Sequence, residues 1–277
     1  MEASDHPPTA PAPTALQRVT SEGAIGQELR SWVLLGAASL AVAGVFALLL
    51  AISRVPGSET YVPWPMEFFS KGLVIHVVFS LVIWFLAIFA LLASLAAVEV
   101  SGGALRWEGL GRVGLALVAM SFPMLFLPAF REDSVPTLNN YIPVIIHPSY
   151  YAGLVLLALG VLAPALRLLG NVGANAGKLG GLVVAMTAAS AVYIAAVISF
   201  IAGTAFSWGE APSRSMHEHL FWGGGHLLQF VYFLLMLSGW TLLGRRTVGD
   251  DFVRERDLRL AIGIVTLFSL PAVLFYA

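Results

Sequence analysis

The chain has 277 residues, is 58% hydrophobic and 11% charged, and has a mean hydropathy of +0.84 with a formal net charge of −1. So little charge excludes an ordinary soluble domain and the basic surface that nucleic-acid binding requires, so no nucleic-acid partner is expected. No cysteine is present, which excludes disulfides, iron–sulfur clusters, thiolate metal sites and covalent c-type haem attachment.

Residues 1–29 are rich in Pro, Ala and Thr and lack the basic start of a signal peptide. They read as a disordered cytoplasmic tail in which His6 has no role. Residues 30–277 read as a single transmembrane domain. Seven apolar segments follow one another, at about 31–53, 69–98, 110–127, 142–169, 179–206, 220–243 and 258–277. Each is long enough to span roughly 30 Å of hydrocarbon at about 1.5 Å per helical residue. The expected fold class is therefore an all-α, polytopic integral membrane protein with seven transmembrane helices. Lys and Arg divide eleven against four between its two sides, with Arg18, Arg30, Arg106, Arg112, Arg167 and Lys178 among the eleven. That bias puts the N-terminus in the cytoplasm and the C-terminus outside.

With this topology every histidine beyond the tail falls in the outer part of the membrane. His76 sits about two turns into the second segment and His147 lies at the start of the fourth. His217 and His219 flank the mouth of the sixth, and His226 lies ~10 Å below it. His217 and His219 fit a solvated loop, whereas His76 and His226 are the deepest and fit that reading least. Gly223, Gly224 and Gly225 precede His226. Such glycines let a neighbouring helix approach closely, and they also leave room for a flat, bulky ligand. No Asp or Glu falls in the middle of a segment as bounded above, which argues against an ion-coupled transporter.

The stretch "LFWGGGH" (220–226) resembles the sixth helix of subunit I of the haem–copper oxidases and the related nitric oxide reductases, where L-F-W-x-x-G-H precedes P-E-V-Y. The stretch "VIHVVFSLVIWFLAIFALL" (74–92) resembles the helix of that family whose histidine is an axial ligand of the low-spin haem. The resemblance implies haem b held by His76, and the room left by glycines 223–225 suits such a flat ligand. It also implies copper or non-haem iron held by His226, or by His219 in an alternative register. His147 is a further candidate metal ligand, and His217 with His219 would hold copper in a carrier. Leu227, Leu228, Gln229 and Phe230 replace the family's Pro-Glu-Val-Tyr, so the tyrosine used in oxygen reduction is missing. The family has about twelve helices and the resemblance covers the first seven. It implies a bacterial inner-membrane respiratory subunit, completed by other membrane subunits and served by a periplasmic electron donor. Two other readings compete: a non-enzymatic copper or haem carrier, and a structural subunit without cofactor.

Overall fold

A computed structural model describes residues 23–58, 68–102, 104–138, 142–174 and 179–274. In chain order, α1 (Gly23–Ile52) is followed by α2 (Phe68–Val77), a π-helical segment (Val78–Ile83) and α3 (Trp84–Ser101). Next come α4 (Glu108–Phe126), a 3₁₀ turn (Leu127–Phe130) and a hairpin of β1 (Val135–Leu138) and β2 (Pro143–Ile146). The chain continues through α5 (Pro148–Ala174), α6 (Gly181–Phe206), α7 (Arg214–Thr247), a short 3₁₀ turn (Asp250–Phe252) and α8 (Glu255–Leu274).

Among the described residues, six helices are long and apolar enough to cross a bilayer: Gly23–Ile52, Phe69–Ser101, Glu108–Phe130, Pro148–Ala174, Gly181–Phe206 and Arg214–Thr247. Large apolar side chains such as Leu34, Leu48, Ile198, Ile201 and Leu243 point outward, as they would toward lipid. The fold is that of an all-α membrane protein, with one small hairpin among the described residues. The seventh expected segment is helical as α8 but is not among those six.

The structure corrects the sequence reading at three boundaries. Helix α1 begins at Gly23, so residues 23–29 of the expected tail are helical; residues 1–22 lie outside the described residues, as do Lys178 and 275–277. The stripe buried along α1 contains Ile25, Glu28, Trp32, Gly36, Ser39, Ala43, Phe46 and Leu50, spaced three or four residues apart. That is the spacing of one helix face, and it carries Glu28 inward. The expected fourth helix also starts later. Residues 143–146 pair with 135–138 as an antiparallel hairpin, and α5 opens at Pro148, whose fixed φ and missing N–H suit a first helical position. The sixth helix starts earlier, because the Ser213 hydroxyl accepts from the Met216 N–H and caps α7. His217 and His219 therefore lie within a helix and not in a loop.

The helices meet through glycine. Pro164 lacks the N–H that would bond the Gly160 carbonyl within α5. The exposed oxygen faces Gly114 of α4, where an added Cβ would overlap it. On the other side of the bundle, a Cβ on Gly203 would come within 2.6 Å of the Leu220 carbonyl oxygen. Close backbone approach of this kind holds helices together where lipid removes the hydrophobic driving force between them.

Candidate functional site

His76 sits in the last turn of α2, two residues before the π-helical turn begins at Val78. Its Nδ1 lies 2.9 Å from the carbonyl oxygen of Ala43 on α1. A carbonyl only accepts, so Nδ1 carries the proton and donates, and in the neutral ring Nε2 carries the lone pair. That is the arrangement found in ligating imidazoles, whose second nitrogen is anchored on a carbonyl or carboxylate. Nε2 has no hydrogen-bond partner among the described residues, and the side chain is half-buried.

The surroundings of His76 are fixed by the same two helices. The Ser39 hydroxyl, one turn from Ala43 along α1, donates to the Phe79 carbonyl at 2.5 Å. Ser80 donates to the carbonyl of His76 itself at 2.6 Å. Both hydroxyls occupy carbonyls at the widened turn, where the α-helical hydrogen-bond ladder is interrupted. Such turns are frequent at functional sites. Phe79 packs edge-on against Phe122 and Phe126, with centroids 5.1 and 6.2 Å away, and Phe126 meets Phe46 at 5.7 Å. One turn before His76, buried Lys71 donates to the Arg131 carbonyl at 2.7 Å and ties α2 to the loop after the 3₁₀ turn.

The other histidines have different environments. The His226 Nδ1–H donates to the Trp222 carbonyl one turn back at 2.8 Å, which gives it the same tautomer as His76. His217 is 1% exposed, in contrast to the solvated position expected from the sequence. The Thr137 hydroxyl meets its Nδ1 at 2.7 Å and the Tyr151 hydroxyl meets its Nε2 at 2.8 Å. Both nitrogens are thus used in fastening the hairpin and α5 to α7, which leaves neither for a metal. At His147 the Nδ1 accepts from the Ser149 backbone N–H at 3.2 Å and lies 2.8 Å from the Ser149 hydroxyl, so it caps α5. Its Nε2 faces Asp133 at 4.0 Å, whose carboxyl is held below its ordinary range by the hydrogen bond from Arg131. His219 is exposed on α7.

Among the described residues no group of three or more His, Asp or Glu is placed to hold a metal ion. The expected metal set of His226, His219, His217 and His147 is not brought together as one site. Gly224 has a packing role, since a Cβ there would overlap the Phe200 ring of α6, whereas a Cβ on Gly225 would meet nothing within 4 Å. Gly223 is buried.

Removing one hydroxyl tests the fastening role of His217. Tyr151→Phe leaves a buried ring nitrogen unsatisfied and is expected to cost about 1–2 kcal/mol in unfolding free energy. Thermal or denaturant unfolding in detergent measures it, and an unchanged stability would show that the hydrogen bond carries no weight.

The sequence reading missed a second cluster, which lies about 22 Å along α1 from Ala43, at 1.5 Å per residue. Arg167 of α5 and Glu28 of α1 are both 1% exposed at the side chain and form a two-pronged ion pair, with Nη1–Oε2 2.9 Å and Nη2–Oε1 2.5 Å. Arg167 also donates to the Ser94 hydroxyl at 2.7 Å and to the Glu108 carbonyl at 3.2 Å. One side chain thus joins α1, α3, α4 and α5. Gly111 leaves it room, because a Cβ there would overlap both charged groups.

No family model matches the chain. It is similar to an uncharacterized protein of Aquifex aeolicus (strain VF5), 31% identical over 228 residues that cover 78% of this chain and 53% of that protein. It is also similar to the uncharacterized protein RP382 of Rickettsia prowazekii (strain Madrid E), 28% identical over 251 residues that cover 78% of this chain and 46% of that protein. The chain spans about half the length of the curated relatives it matches.

Proposed function

We propose that this is a haem b-binding membrane subunit of haem–copper oxidase type, in which His76 would hold the haem iron. The observation that carries the reading is the His76 ring, with Nδ1–H bound to the Ala43 carbonyl and Nε2 presenting its lone pair beside a π-helical turn. Bound haem would supply one-electron transfer, with its potential set by the axial ligand and by burial. The chain's own residues orient the imidazole, and the cluster of Phe46, Phe79, Phe122 and Phe126 supplies an apolar wall. In this reading other membrane subunits would supply a further haem ligand and a periplasmic protein would donate the electrons, as the family resemblance implies. A copper or iron ion at His226 would need ligands from elsewhere as well, so the residues described here do not fit a complete metal site.

In this reading seven helices cross a bacterial inner membrane and the hairpin faces outward. The arginines at the other ends of the helices support that orientation. Arg167 and Lys71 are buried and leave the count on their respective sides, and the bias remains. The respiratory partners and the donor remain as the family resemblance implies them.

The reduced-minus-oxidised spectrum of the detergent-purified protein tests the proposal. A b-type band that persists in His219→Ala and is lost in His76→Ala is expected. A colourless wild-type protein, prepared from cells supplied with haem, would overturn it.

A further inference from the structure

A cavity of about 150 Å³ opens at the end of the bundle away from the hairpin, where α3, α6, α7 and α8 meet. Glu99, Arg245, Ser238 and Thr241 line it together with the apolar Leu182 and Leu258. The polar groups are set with opposite signs. Ser238 donates its hydroxyl hydrogen to the Leu234 carbonyl at 2.8 Å, and Thr241 donates to the Leu237 carbonyl at 2.7 Å. Their oxygens therefore offer lone pairs to anything in the cavity. The Glu99 carboxylate lies over Gly180 at the start of α6, 2.5 Å from where a Cβ would be, and receives no hydrogen bond among the described residues. Arg245 gives Nη2 to Glu255 at 3.0 Å, while its Nε–H is buried and has no partner.

The cavity thus presents three acceptors and one cationic donor, above an apolar wall at the end of three spanning helices. A bare anion would be repelled by Glu99, and a bare cation by Arg245. A zwitterion satisfies both. We propose that the cavity binds a phosphoethanolamine headgroup, its phosphate taking the Arg245 Nε–H and its ammonium donating to Glu99, Ser238 and Thr241. A primary ammonium has three N–H donors for those three acceptors. A choline headgroup of the same charge has none, so selection against it follows from hydrogen bonding. The apolar side of the cavity and its place at the helix ends favour the lipid, phosphatidylethanolamine, over the free headgroup.

Native mass spectrometry of the full chain tests this, with phosphatidylethanolamine, phosphatidylcholine and phosphatidylglycerol titrated into mixed micelles and soluble phosphoethanolamine added as competitor. Phosphatidylethanolamine should be retained over the other two lipids, and Glu99→Gln should weaken that preference about tenfold, the effect of losing one charge-assisted hydrogen bond. Thr241→Val replaces one acceptor without touching a charge and should weaken it less. Displacement by soluble phosphoethanolamine at comparable concentration would support the headgroup chemistry and assign it to a soluble ligand. Equal retention of the three lipids, or a preference unchanged in both variants, would overturn the assignment.

Discussion

Arg167→Met alone is expected to lower the unfolding free energy by about 3–5 kcal/mol, the usual consequence of leaving a buried charge without its partner. The uncompensated group would be Glu28, which sits 2% exposed among the packed helices. The variant also strips a donor from Ser94 and from the Glu108 carbonyl, so four helices lose their common tie. The double variant Glu28→Met/Arg167→Met removes both charges and should recover most of that loss, because apolar replacements of a buried pair are often neutral. Unfolding of the two single variants and the double variant in one detergent gives the coupling directly. A single-variant cost below about 1 kcal/mol, the range of surface pairs, would mean that water reaches the pair.

The second large effect is expected at Gly114→Ala. The added methyl meets the Gly160 carbonyl oxygen, the Ala163 Cβ at 3.0 Å and the Pro164 Cδ at 3.1 Å. None of these is the far end of a flexible side chain, so α4 and α5 must move apart along their whole contact. About 3 kcal/mol of destabilisation follows, at the upper end for overpacked sites. Gly109→Ala on the same helix, where an added Cβ meets nothing within 4 Å, should be neutral or slightly stabilising, since Ala is the better helix former. Thermal unfolding of the two variants compares the positions, and equal stabilities would contradict a backbone contact at Gly114.

Much of the bundle was legible in the sequence because lipid leaves so few alternatives. A long run without charge in this composition has to be a helix, and the middles of all seven expected segments are helical. The boundaries were harder, each for a local reason. The Pro-, Ala- and Thr-rich start made residues up to 29 look like a tail, yet Glu28 stands in step with Trp32, Ser39 and Ala43 on the buried face. A carboxylate in register with an apolar stripe was the available signal for a buried partner. Residues 142–146 belong to the expected fourth helix, yet so short an apolar run before His147 and Pro148 has the length of a strand. The pairing with 135–138 decided for the strand.

The site was legible only in part. His76 stood out because imidazole is rare within an apolar run, but its tautomer depends on the Ala43 carbonyl, 33 residues away on another helix. The π-helical turn after it has no mark in the residue pattern. His217 misled for the opposite reason. Among charged and exposed neighbours it looked solvated, and its burial rests on Thr137 and Tyr151, which come from distant parts of the chain. Both histidines show the same limit: composition locates a polar side chain along the helix, while its partners are set by packing.

Haem ligation by His76 is tested most directly by His76→Gly, which removes the ring and opens a space for exogenous imidazole. The reduced b-type spectrum should vanish in this variant and return when imidazole is added to the buffer, with Tyr151→Phe keeping its spectrum throughout. A His76→Gly protein that retains the wild-type haem spectrum without imidazole would contradict ligation at this position.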